Sequence, residues 1–240
     1  MTALNSAAAL RFRPAWPTDA AACAPLMFAS GAREFRYWLG EPDAACHAFL
    51  RHAFAQAQGR FSWRWHHVAL NPDGAIVGLM GVYPGSAWHG VDDLRIAWRL
   101  LRSFGLRRAP AMMRRGLVLQ RELPAPGRRE WLLAHCATRE DCRGSGVFSA
   151  LFASWLSDAA LAAPASASLG AMKRFAPDGP GERPHGHEPQ LVLDALCSET
   201  RVRSLYHRLG FVELPKQDGG RSAQLPPALA SVRMRFAPCA

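Results

Sequence analysis

Lysine is almost missing from this chain: of 29 basic residues only Lys173 and Lys216 are lysine, and the rest are arginine. Acid is short as well, with 19 residues, which leaves a net charge of +10 at pH 7. Such a surplus favours an acidic partner, and an Arg- and Ala-rich composition equally fits a GC-rich coding bias. No apolar stretch runs to about 18 residues without a charge, which excludes a spanning helix and sets membranes aside. The N-terminus, MTALNSAAALRFRPAWP, has no positive segment ahead of a long apolar one, so secretion is not expected and a cytoplasmic protein is. The cysteines stand singly at 23, 46, 136, 142, 197 and 239, with no C-x-x-C pair, so neither a disulfide framework nor a metal site is expected. There is no internal repeat and no second domain's worth of pattern.

What is present is a globular composition, 49% hydrophobic and 20% charged over 240 residues. That suffices for one α/β (α+β) domain with an insertion. Leu10–Arg13 reads as a strand closed by Pro14, with Thr18-Asp19 as the cap of a following helix. Two further helical pieces follow, the last opening at Asp43. Trp65–Leu70 and Ala75–Val82 are β-rich runs around Asn71-Pro72-Asp73-Gly74, the turn chemistry of a hairpin.

Residues 86–127 form a basic insertion of two amphipathic helices. Ten arginines fall between Val91 and Arg129, against Asp92, Asp93 and Glu122. Leu94, Ala97, Trp98, Leu101 and Phe104 are expected on the buried face of its first helix, which Gly105 ends. The second helix is expected from Ala109 to Glu122. Residues 161–190 read as a long Pro/Gly/Ala-rich surface loop, and its His185-Gly186-His187 pair lacks a third ligand for a metal.

Chemistry concentrates in two places. Trp131–Thr138 is a strand followed by a glycine-rich turn, Arg143-Gly144-Ser145-Gly146, and a helix from Val147. Backbone N–H groups at such a helix start are unpaired and suited to phosphate. Some fifty residues on, the strand 191–196 leads through Glu199 to Leu205-Tyr206 and Gly210-Phe211.

With these motifs in this order the chain resembles the GNAT-family N-acetyltransferases. The family's R-x-x-G-x-G/A pattern matches Arg143 and Gly146, with Phe148 in place of the small residue, and its L-Y-x-x-x-G-F pattern matches Leu205, Tyr206, Gly210 and Phe211. The resemblance implies a mixed, mostly antiparallel sheet of about seven strands, splayed between the fourth and fifth, 131–138 and 191–196. It implies acetyl-CoA as co-substrate and no metal. The pantetheine arm would pair with the backbone of Cys136, Ala137 and Thr138, and the pyrophosphate would sit on Arg143 and the N–H groups of Gly144, Ser145, Gly146, Val147 and Phe148.

Tyr206 is the natural proton donor to the leaving thiolate, being protonated at pH 7 with an ordinary pKa near 10. For the base, Glu130 and His135 are the candidates; strand alternation puts them on opposite faces, so only one reaches the acceptor. Glu199 stands where the family commonly has Asn, placing a carboxylate near the expected cofactor contacts. The acceptor is a small-molecule or peptide amine, and the insertion's arginines, as a wall of its site, would suit an acidic or phosphate-bearing one. A catalytically weak acyl-CoA-binding module is the alternative, motivated by Phe148 and Glu199. Nucleic acid is disfavoured because only Trp98 and Phe104 interleave the arginines. Monomer and homodimer are both open.

Overall fold

A computed structural model of the protein describes residues 10–85, 90–161, 190–215 and 225–237. The greater part of the expected loop 161–190, with its His185 and His187, lies outside the described residues, as do Lys173, Lys216 and Cys239.

Seven strands form one sheet: β1 (Arg11–Pro14), β2 (His66–Leu70), β3 (Ile76–Pro84), β4 (Glu130–Thr138), β5 (Gln190–Leu196), β6 (Phe211–Glu213) and β7 (Ser231–Phe236). Their spatial order is β1-β2-β3-β4-β5-β7-β6. Every pairing is antiparallel except β4 with β5. The β2–β3 hairpin turns where the sequence places it. Asn71 Oδ1 accepts the Ala75 N–H at 2.8 Å, and Gly74 carries the left-handed φ of 81° that such a turn needs.

Helices cover both faces. On one lie α1 (Ala20–Ala29), α2 (Ala32–Leu39), α3 (Asp43–Ala55) and α4 (Gly90–Glu122); on the other lie α5 (Val147–Leu161) and α6 (Thr200–Arg208). Strand alternation divides the core accordingly: Val68, Leu70 and Leu79 pack towards α1–α4, and Ala69, Met80 and Val82 towards α5 and α6. Asp19 does not cap α1 with its side chain. Its carboxylate turns back to the Trp16 N–H and to Arg13, both at 2.7 Å, pinning the helix entry to β1.

The insertion departs from its expected form in two respects. Its two helical arms meet at Gly105, whose φ of 75° and ψ of 172° only glycine adopts readily, and the second arm resumes at once rather than at Ala109. The buried stripe of the first arm is Asp92, Ile96 and Leu100, with the expected Leu101 and Phe104 packed partly buried beside it, leaving Leu94 71% and Trp98 64% exposed. The cause is a buried charge. Asp92 must be paired once it leaves water, Arg60 pairs it at 2.9 Å, and that contact rotates the helix so that residues four and eight further on follow it inward. Gln120 donates to Asp93 at 3.3 Å and ties the second arm to the first.

Candidate active site

β4 and β5 pair in parallel only from Glu130↔Gln190 to Leu133↔Leu193. Beyond that point they no longer pair, and no strand covers β4 from Ala134 to Thr138 on its β5 side. A bulge lies at the divergence: Gly81 pairs with Ala134 and Leu79 with Ala137, so His135 and Cys136 together face Met80. His135 carries a φ of 53°, a left-handed value that a residue with a side chain seldom takes. Strand alternation is thereby reversed midway. Ala134 and His135 both face the α1–α4 side, whereas Cys136 packs with the α5–α6 core.

This bulge corrects the parity argument. Leu132 and Ala134 line the α1–α4 side, so Glu130 belongs to the same face as His135 rather than the opposite one. Glu130 is nevertheless engaged elsewhere: its Oε2 accepts the Gly127 N–H at 2.7 Å and lies 3.6 Å from Arg233. Arg233 in turn holds Asp194 at 2.8 Å.

Past Thr138 the chain enters the glycine turn. Gly144 and Gly146 have φ values of 78° and 82°, and no atom lies within 4 Å of where a Cβ would stand on either. The backbone there is open to close approach. Ser145 Oγ donates to the Cys142 carbonyl at 2.6 Å and fixes the turn. The first intrahelical bond of α5 runs from the Ala150 N–H to the Gly146 carbonyl, at 2.9 Å, so the N–H groups of Gly146, Val147 and Phe148 are left for a ligand, whereas that of Ser145 reaches the Cys142 carbonyl at 3.4 Å. Arg143 is exposed beside them. Phe148 turns away into the core, stacked with Phe152 at 6.2 Å and edge-on to Tyr206 at 6.0 Å, so its bulk does not fill the turn. Glu199 flanks the start of α6 and is paired with Arg33 at 3.3 Å. These residues could hold a pyrophosphate, and the β4 edge of Cys136, Ala137 and Thr138 that no strand covers runs on from it, with the Thr138 carbonyl accepting from Arg143 Nε at 3.5 Å.

Tyr206 is buried between Phe148 and Phe211. Cys136 packs in the same cluster. Burial, reinforced by that sulfur, holds the phenol pKa well above its ordinary 10, and burial pushes the Cys136 thiol up to about 12.

Across β4, His135 joins a short relay. The Ser62 carbonyl lies 2.7 Å from His66 Nδ1, and His66 Nε2 lies 3.0 Å from His135 Nδ1. A carbonyl can only accept, so His66 carries its proton on Nδ1. Burial lowers the His66 pKa to about 4, which keeps the ring neutral and leaves Nε2 to accept from the His135 Nδ1–H. Burial, with His66 and the Arg60 charge adding, also holds His135 well below 6.5. His135 is therefore neutral, with the lone pair on Nε2. Its ring stands among Phe61 at 5.4 Å and Phe35 and Tyr83 at 6.4 Å, and borders a cavity of about 490 Å³ between α2, α4 and the sheet.

The sequence reading missed His66 and the aromatic wall of this cavity, and no spacing in the chain links His66 to a residue 69 positions away. Among the described residues no group of three or more His, Cys, Asp or Glu is arranged to hold a metal, and no helix is long and apolar enough to cross a membrane.

No family model and no curated protein sequence matches this chain. Solved structures do. An acetyltransferase structure superposes with a TM-score of 0.59 at 15% identity, covering 94% of this chain and 98% of its own. An N-acetyltransferase from Staphylococcus aureus Mu50 gives 0.58 at 13%, over 94% and 100%. A Corynebacterium glutamicum structure described as histone acetyltransferase HPA2 and related acetyltransferase gives 0.51 at 21%, over 97% and 98%. Likeness over nearly the full length, on a sheet with a single parallel pair at β4–β5, establishes that this chain has the fold of the GNAT-family acetyltransferases.

Proposed function

We propose that this protein transfers an acetyl group from acetyl-CoA to a primary amine by direct attack. The observation that carries the reading is the opening between β4 and β5, with the glycine cradle and Tyr206 on one side of β4 and neutral His135 on the other. The two sides suit the two ends of one reaction. The amine nitrogen attacks the thioester carbonyl carbon, a C–N bond forms, and the C–S bond breaks. His135 Nε2 takes the proton that the nitrogen must lose, and the Tyr206 hydroxyl gives one to the departing thiolate. Supporting the second role, Tyr206 is buried in the same cluster as a sulfur, the thiol of Cys136, and stays protonated there.

Speaking against a weak binding module, Phe148 packs into the core and Glu199 lies 3.3 Å from the Arg33 guanidinium. The test is the melting temperature with saturating acetyl-CoA against ATP, followed by CoA release in the presence of amines. At a hundredfold excess over Kd a native-state ligand stabilises by about 2.7 kcal/mol. A shift with acetyl-CoA alone is expected; equal shifts with both would reduce the cradle to a general phosphate site.

A further inference from the structure

The cavity beside His135 has the volume of a site for a compact organic molecule, about 490 Å³. Its wall is strongly apolar. Phe35, Trp38 and Phe61 supply stacked and tilted rings, with Trp38 and Phe61 at 5.8 Å, and α4 adds Leu100, Met113 and Leu117. Leu94 and Leu117, 71% and 63% exposed, carry this apolar surface out to solvent at the mouth.

The charge in the cavity runs against that of the whole molecule. Not one of the ten arginines between Val91 and Arg129 lines it. Among the described residues Arg60 is the only cation of the lining, and its guanidinium is held by Asp92 and Asp93. Against it stand three carboxyl groups, Glu34, Asp93 and Asp194, of which Asp93 pairs with Arg60 and Asp194 with Arg233. Of these, Glu34 has a buried Oε2 without a hydrogen-bond partner. A carboxylate or phosphate on the acceptor would meet these groups and an arginine already engaged. A polyamine or aminosugar would have to strip water from several polar groups, and of the three carboxyl groups two are already paired with arginines. An ammonium on an apolar body meets neither obstacle.

We infer that the acceptor is a primary monoamine with an apolar, aromatic-sized body, its nitrogen at His135 and its body between α2 and the arms of α4. This rests on the acetyltransferase reading for the reaction, though not for the binding. The test titrates the full chain calorimetrically with tryptamine, phenylethylamine, spermidine and glutamate, with and without acetyl-CoA, and follows CoA release for each. The two aryl amines are expected to bind about 30-fold more tightly than spermidine or glutamate. Leu117→Glu, at the exposed mouth, is expected to weaken them about tenfold while leaving the acetyl-CoA Kd unchanged.

Tighter binding of glutamate or spermidine, no binding of either aryl amine at millimolar concentration, or indifference of aryl-amine binding to Leu117→Glu would each overturn the inference. Aryl-amine binding with the expected response to Leu117→Glu, but without acetyl-CoA binding or CoA release, would uphold the cavity's selectivity and remove the acetyltransferase reading instead. CoA release with glutamate alone would do the reverse.

Discussion

Tyr206 and His135 lie on opposite sides of one strand, and each is held in the protonation state its proposed part requires. Burial keeps the phenol protonated and the imidazole neutral, because both charged forms are costly away from water. Tyr206→Phe keeps the ring that packs on Phe148 and Phe211 and removes only the proton donor. Its kcat is expected to fall by about 100-fold or more, with the acetyl-CoA Kd within about threefold; an unchanged kcat in steady-state assays would remove Tyr206 as the acid. Glu130 offers the complementary test. An amide at that position still accepts the Gly127 N–H, so Glu130→Gln should leave kcat/KM within about twofold. A loss near 100-fold would pass the base from His135 to Glu130. At this scale the sequence named Glu130 and His135 on β4 as candidates but misjudged their faces. A left-handed φ at a histidine is not encoded in any local pattern, and one bulge reverses every side chain beyond it.

The elements carry the geometry between these residues. In the strand, glycine turn and helix from β4 to α5, the turn needs Gly144 and Gly146 because their φ values are left-handed and their Cβ positions face open space. Gly146→Trp puts an indole where the pyrophosphate is expected and should raise the acetyl-CoA Kd at least about tenfold in a calorimetric titration. Gly74→Trp is the control. It imposes the same kind of left-handed strain, φ 81°, at the β2–β3 turn, and should lower the melting temperature without changing Kd. A similar Kd change in both variants would show that strain, rather than obstruction, is being measured. The strand–turn–helix unit and the hairpin were legible in the sequence because their signals lie within a few residues of each other. The face that α4 buries was not, since apolar spacing supports Leu94 and Trp98 as readily as Ile96 and Leu100. The choice came from Arg60, on a different segment.

At the scale of the whole molecule, three buried histidines tie stability to pH. His66 and His67 are each lowered to about 4 by burial, and His135 is lowered as well. Each binds a proton more readily unfolded, near 6.5, than folded. Their contribution is therefore complete above about pH 6.5 and is withdrawn as pH falls towards 4. Glu34 and Asp194, raised by burial, act in the opposite sense and moderate the slope. Between pH 7 and pH 5 the melting temperature should fall by roughly 5–10 °C; a flat calorimetric profile over that range would mean that these histidines are not buried neutral. What the sequence by itself determined is what short spacing encodes: the hairpin, the helix with a glycine turn at its start, the Tyr206 helix, and through their order the fold. What only the tertiary structure decided is the pairing of His66 with His135, the engagement of Glu130, and an apolar, acid-leaning cavity inside a chain of net charge +10. The reason is that composition sums every charge equally, whereas a site is set by the few groups that distant segments bring together out of water.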